Sequence, residues 1–316
     1  MPRYLTDAEF RSLMAIPDTI AAVEACFKAR AAGALGALVR RVLPVGTAGL
    51  ALTPGGSLDL EAMGLRIYPI GTPVKDQLTL VWHPATGALL GMVAGTSLGA
   101  YRTGAIGAIA VREGADDDAH TLALIGAGLQ AATQLPAICA VRPVQEVRVF
   151  RRDRAGLDAF VKSHAGLANA AGQAVTLTAA TSPREAVKGA QIVVLSTTSR
   201  IPVIEAAWLE GGAHVSVLGP KSKSGAEIGL DLVDRAEVLF SDVPEMTLEN
   251  PDSLLAGTRH GERLHDLARL MTLEWSRPEG GLSVFFSNGL GGTEVAVAAE
   301  ALRRAELAGA GVLLAV

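Results

Sequence analysis

The chain has 316 residues, a formal net charge of −4, 19% charged residues and 49% hydrophobic ones. That length can bury a large core and points to two domains, while the charge balance gives no field for nucleic acid. Two cysteines, Cys26 and Cys139, are too few for a disulfide framework and fit a reducing compartment, where both read as small buried hydrophobes.

In chain order, the opening MPRYLTDAEF carries acids early and lacks the apolar stretch of a signal peptide. Long apolar stretches such as LALIGAGLQAATQLPAICAV are interrupted by Gln130, Gln134 and Pro136, and a membrane span needs about 20 predominantly apolar residues. A cytoplasmic protein making no membrane contact is expected. Ile20, Val23, Phe27 and Ala31 recur at helical spacing, which predicts a helix over 18–33, opened by Asp18 and closed by Gly33. Between Arg40 and Val93 the pattern changes to short runs, RRVLPV, LRIYPI, QLTLVWH and LLGMVA, divided by Gly, Pro and Thr, and these predict a sheet. A helix entered through Thr96 or Ser97 then leads to the acidic turn Asp116-Asp117-Asp118.

From TLALIGA onward strands and helices alternate through EVRVF, AVTLTA, QIVVLST, HVSVLG and AEVLFSD. Such alternation predicts an α/β fold with a Rossmann-type, doubly wound parallel sheet and right-handed crossovers. The chain closes with the strand LSVFF, a glycine-rich turn and a long helix. The expected division is a dinucleotide-binding domain over 115–280, inserted into a discontinuous α+β substrate and dimerisation domain made of 1–114 and 281–316.

Gly126-Ala127-Gly128-Leu129-Gln130-Ala131 follows an apolar strand and opens a helix, the setting in which G-x-G-x-x-G/A binds a dinucleotide. Gly126 would make the tight turn, Gly128 would admit the pyrophosphate and Ala131 would sit at the helix–strand contact, with the helix N-terminus facing the anion. After the next strand, where NAD enzymes keep an acid for the ribose, stand Arg151 and Arg152. A guanidinium fork suits a phosphate, so NADP is expected, with NAD use left open because Asp153 follows. Arg40, Arg66 and Arg102 lie in apolar strand or small-residue helix contexts, where a buried cation needs an anion; a substrate carboxylate is the expected one.

Another reading competes. Gly95-Thr96-Ser97-Leu98-Gly99 matches the nucleophile elbow of a serine hydrolase, with Asp234 or Asp242 and His260 or His265 in the order such a triad needs. The histidines, His83 and His214 among them, show no metal-ligand spacing, so no metal is expected.

Taken together, YRTGA, IGAGLQA about 20 residues later, TTSRIPVI, GAHVSVLG with Glu227 beyond it, and SNGLGGTEVAVAAEA resemble the ornithine cyclodeaminase/mu-crystallin family over nearly the whole chain. The resemblance implies a homodimer joined through the sheets of the substrate domains. It also implies activity as an ornithine cyclodeaminase, a ketimine or pyrroline-2-carboxylate reductase, an alanine dehydrogenase or an opine-type dehydrogenase. Carried over by position, Arg40 and Arg102 match the carboxylate-binding arginines, and the family's proton-transferring lysine falls on Arg66. The aspartate that cyclodeaminases direct at the substrate amine falls on Lys221, and Glu294 stands where an aspartate is usual. The cofactor would be held by Arg102, Thr103, Gly126, Ala127, Gly128, Leu129, Gln130, Arg151, Arg152, Thr197, Thr198, Leu218, Gly219 and Leu290. Catalytic roles fall to Arg66 and Lys221, and substrate binding to Arg40, Arg66 and Arg102.

Lys221 reverses the charge a cyclodeaminase needs, so the expectation is an NAD(P)H-dependent oxidoreductase of a small cyclic imine carboxylate, or the reverse amino-acid dehydrogenase. The alternatives are an ammonia-eliminating cyclodeaminase and a catalytically inactive NADPH-binding protein. Arg66 cannot release a proton at usable pH, which leaves water, a substrate iminium, Tyr101 or a nearby lysine as its source.

Overall fold

The computed structural model describes residues 1–74, 76–272, 275 and 278–315. They form two compact units, one of residues 1–105 and 289–316, the other of 106–288. The first division therefore falls inside a helix rather than after it, and the second lies eight residues beyond the expected 280/281.

In the first unit, α1 (Asp7–Leu13) and α2 (Ile16–Ala31) precede the sheet. The sequence pattern missed α1, although Thr6 and Glu9 form a reciprocal capping box at its start. Helix α2 begins two residues before the expected Asp18, because the Asp18 carboxylate reaches back to accept from Ala15 N at 3.1 Å. The strands are β1 (Arg3–Leu5), β2 (Gly36–Ala37), β3 (Arg41–Val45), β4 (Ala48–Ser57), β5 (Ala62–Ile70), β6 (Leu78–Trp82) and β7 (Leu89–Ala94). Strands β4 to β7 form an antiparallel meander, β3 and β2 both pair with β4, and β1 lies parallel to β7. Strand β4 went unread in the sequence because it contains Pro54 and a Gly-Gly pair. Pro54 falls where the neighbour of β4 changes from β3 to β2, a break that tolerates a residue without an N–H. The C-terminal helix Thr293–Ala308 packs on α2 and on β4, β5, β6 and β7, and buries its first turn there.

Helix α3 (Ser97–Gly114) starts in the first unit, and residues beyond Ala105 belong to the second. The second unit carries β8 (Thr121–Ile125), β9 (Glu146–Phe150), β10 (Thr176–Ala179), β11 (Ile192–Leu195) and β12 (His214–Val217). A short ribbon, β13 (Lys221–Ser222) and β14 (Gly225–Ala226), follows, and then β15 (Val238–Ser241), β16 (Leu264–Asp266) and β17 (Ser283–Phe286). The large sheet runs β10-β9-β8-β11-β12-β17-β15-β16, parallel throughout. Alternate residues of β8 enter different cores, Leu122 and Leu124 one, Ala123 and Ile125 the other, so both faces are covered as a parallel sheet requires. Strand β17 inserts between β12 and β15, pairing Ser283 with His214 and Val284 with Leu239. The expected boundary at 280/281 would have assigned LSVFF to the first domain; its hydrogen bonds put it in the parallel sheet.

Among the described residues no helix is long and apolar enough to cross a membrane.

Candidate active site

In the second unit, β8 ends at Ile125 and α4 (Leu129–Cys139) begins after the glycine turn. Gly126 has φ +102°, and a Cβ there would lie 2.6 Å from Ser196 O, so the turn demands glycine on both counts. Gly128 is the helix N-cap, in extended conformation and without a side-chain cap. A Cβ built on it meets no atom within 4 Å among the described residues, so the space before α4 is open. Ala131 is fully buried. Gln130 Oε1, a buried acceptor, has no donor among the described residues. Leu129 is exposed at the same turn.

Arg151 folds back onto this turn, its Nη1 donating to Ala127 O at 3.0 Å. Its Nη2 lies 3.3 Å from Asp153 Oδ2, and Asp153 also accepts from Gly156 N as the N-cap of α5 (Arg154–Ser163). Asp153 is thus occupied twice within the chain, whereas Arg152 is exposed.

The loops after β11 and β12 are tied by Glu227, a fully buried carboxylate. It accepts from Thr197 N at 3.0 Å and Thr197 Oγ1 at 2.8 Å through one oxygen, and from Gly219 N through the other. Burial pushes its carboxyl group above the usual range, against the opposing pull of those hydrogen bonds and of Lys221. Lys221 Nζ donates to Gly219 O at 2.8 Å and Leu218 O at 3.3 Å. Thr197, Leu218, Gly219 and Lys221 therefore form one hydrogen-bonded group; Thr198 follows Thr197 in the same loop. The sequence marked Glu227 only as part of a motif, and no local pattern discloses that it joins loops 30 and 8 residues behind it.

In the first unit, Arg66 on β5 and Arg102 on α3 converge on Glu294 in the first turn of the C-terminal helix. Arg66 Nη1 donates to Glu294 Oε1 at 3.3 Å, and Arg102 Nη2 donates to the same oxygen. Arg66 Nη2 donates to Gln77 Oε1, and the Arg66 guanidinium lies 4.6 Å over the Tyr68 ring. Burial pushes the Arg66 guanidinium below its ordinary value, and the Glu294 carboxylate opposes that shift. Arg102 is 4% exposed, and its Nε has no acceptor among the described residues. Glu294 is thus an anion that already compensates the burial of Arg66 and Arg102, so a substrate carboxylate is not their sole counter-charge. A signal for it was present: TEVAVAAEA sets Glu294 beside a run of small apolar residues at the start of a helix, and such a charge is rarely buried unpaired.

The remaining site residues scatter. Arg40 is exposed just before β3. Thr103 Oγ1 donates to Gly99 O at 2.8 Å within α3, and Leu290 is buried in the turn before the C-terminal helix. Tyr101 packs edge-on against Phe10. Ser97 is no elbow nucleophile: its Oγ and N donate to the two oxygens of Asp7, both at 2.8 Å, so the Asp7 carboxylate caps the start of α3. Asp234 is engaged with Arg259 and His260, and Asp242 accepts from Asn288 N. His214 sits buried between two hydroxyls, Ser283 Oγ at Nδ1 and Ser216 Oγ at Nε2. No group of three or more metal-ligating side chains occurs among the described residues.

The profile of the ornithine cyclodeaminase/mu-crystallin family matches residues 3–300. A protein of Rhizobium meliloti (strain 1021) named as a dehydrogenase is 30% identical, over 98% of this chain and 97% of its own length. The ketimine reductase mu-crystallin of Rattus norvegicus is 28% identical over 69% of this chain and 70% of its own. Among solved structures, the Thermococcus litoralis Δ1-pyrroline-2-carboxylate reductase in complex with NADH and L-proline superposes with a TM-score of 0.86 at 24% identity, covering 99% of this chain and 100% of that one.

Proposed function

The chain belongs to the ornithine cyclodeaminase/mu-crystallin family, and from that membership we propose that it is an NADP(H)-dependent oxidoreductase that reduces a small cyclic imine carboxylate or runs the reverse amino-acid dehydrogenation. One observation carries the substrate class. The Arg66–Glu294–Arg102 group holds two cations against one anion, and a buried guanidinium N–H, Arg102 Nε, has no acceptor among the described residues. A carboxylate supplies both the missing charge and the missing acceptor.

The glycine turn fits the cofactor: the space before Gly128 is open, the α4 amides lack a side-chain cap, and these are the features that receive a pyrophosphate. Arg151 and the exposed Arg152 favour the 2′-phosphate of NADP, and Asp153 is committed to Gly156 N and Arg151 rather than to a ribose. NAD remains the cofactor named with the Thermococcus enzyme. When bound, the nicotinamide exchanges a hydride with the imine carbon. The chain's own contribution is positional: Arg102 and Arg66 fix the carboxylate, and Glu227 fixes the loops that carry Thr197 and Gly219. Arg66 remains a guanidinium, so the proton on nitrogen comes from another source: water, a substrate iminium, Tyr101 or a nearby lysine. Lys221, anchored on two carbonyls, brings positive charge where a cyclodeaminase needs a carboxylate for its substrate amine.

The protein acts as a homodimer in this reading. Every residue of β3 is exposed, and Leu38, Val42, Leu43 and Val45 are exposed apolar side chains on or just before that strand, as a surface covered by a second copy would present.

The test is NADPH consumption, followed by nicotinamide absorbance, with cyclic imine carboxylates and with 2-oxoacids plus amines. Turnover of a cyclic imine carboxylate is expected. Product from ornithine and NAD+ alone would contradict the reading, and tight NADPH binding with no turnover would mark a protein without catalysis.

A further inference from the structure

We propose that Glu294 sets the charge of the arginine group and thereby makes the site selective for imines with one carboxylate over imines with two. The inference rests on Arg66 and Arg102 being the substrate clamp. Both guanidiniums share a single oxygen of Glu294, and the trio carries two positive charges and one negative, leaving one. The Cys26 thiol, pushed up to about 12 chiefly by burial and also by Glu294, stays neutral and adds no charge.

The donors are committed in the same proportion. Arg66 spends Nη1 on Glu294 and Nη2 on Gln77, while Tyr68 covers one face of its guanidinium. Its other limit is Gly99, where a Cβ would overlap the guanidinium, so the arginine cannot swing toward α3. Arg102 spends Nη2 on Glu294 and keeps a buried Nε without an acceptor among the described residues. One incoming carboxylate neutralises the group and satisfies that N–H. A second carboxylate on the same small ring would bring its charge toward Glu294, fully buried and held in place by two guanidiniums whose surplus charge the first carboxylate has already balanced.

Specificity here arises from repulsion built into the site rather than from added attraction. Glu294→Gln removes the charge, keeps the side-chain volume and leaves a carbonyl oxygen for both arginines. Glu294→Asp keeps the charge and shortens the reach.

The experiment measures kcat/KM for a cyclic imine carrying one carboxylate and for the same ring carrying two, in wild type, Glu294→Gln and Glu294→Asp. Wild type and Glu294→Asp should both favour the monocarboxylate, even if the aspartate variant is slower. In Glu294→Gln the ratio should move toward the dicarboxylate by roughly tenfold or more, the scale of removing one unit charge from a partly desolvated contact. An unchanged ratio in a folded Glu294→Gln protein would overturn the proposal. Should that variant fail to fold, binding of the corresponding saturated amino acids to wild type and Glu294→Asp decides: equal or tighter binding of the dicarboxylate overturns it, and clear preference for the monocarboxylate supports it. Arg102→Gln separates the two layers. If it leaves monocarboxylate turnover intact, the clamp itself is wrong and the proposal falls with it. If it abolishes turnover while Glu294→Gln leaves the ratio fixed, the clamp stands and the role of Glu294 alone fails.

Discussion

Glu294 and Glu227 are both fully buried carboxylates, yet they are satisfied by opposite means. Glu294 faces two guanidiniums. Glu227 takes two backbone N–H groups and a hydroxyl, with Lys221 as its neighbouring charge. Cationic donors outnumber the carboxylate in the first case and leave a positive site suited to an anion. In the second, mostly neutral donors stabilise the carboxylate without creating a binding charge, so its work is to fasten two loops. Burial of an acid therefore says little about function until the charge of its donors is counted.

Removing each acid tests that contrast. Glu294→Ala would leave Arg66 and Arg102 buried without their anion, and a loss of about 3–5 kcal/mol in denaturant unfolding is expected; a loss below about 1 kcal/mol would show that water reaches the group. Glu227→Gln keeps the shape but turns an amide N–H₂ toward groups that are themselves donors. A cost of about 1–3 kcal/mol is expected, together with weaker NADPH binding by calorimetry; unchanged affinity would detach Glu227 from the cofactor loops.

The raised carboxyl of Glu227 gives a pH signature. Its folded pKa lies above its unfolded value, so between the two the folded state holds more protons and stability falls as pH rises. Glu227→Gln should flatten that slope in urea melts taken across the acid range. On the acid side, protonation also weakens the hydrogen bonds from Thr197 and Gly219, so NADPH affinity should decline there in wild type and not in the variant. A smaller effect is expected at the glycine turn: Arg151→Asp should shift coenzyme preference toward NADH, and unchanged selectivity would remove the phosphate role. At β3, Leu43→Glu should reduce the dimer in sedimentation and leave the monomer folded.

The parallel sheet was legible because its strands are continuous apolar runs separated by glycine-rich turns, and Gly126 to Ala131 announced the turn by spacing alone. The insertion of β17 between β12 and β15 was not, since strand order depends on contacts that no local window contains. Strand β4 was hidden by Pro54 and its glycines, and α1 by the short length of its apolar pattern. Within the candidate site, the arginines were visible as cations out of place, but the side chain that answers two of them lies 228 residues from Arg66 and 192 from Arg102. Distant pairing of that kind is what a single sequence conceals.

The most direct measurement follows the hydride. With NADPH deuterated at the transferable position of the nicotinamide and a cyclic imine carboxylate, the amino-acid product should carry deuterium at its α-carbon in wild type and form far more slowly in Arg102→Gln. Unlabelled product, or ammonia released from ornithine with no net consumption of NADPH, would contradict the account.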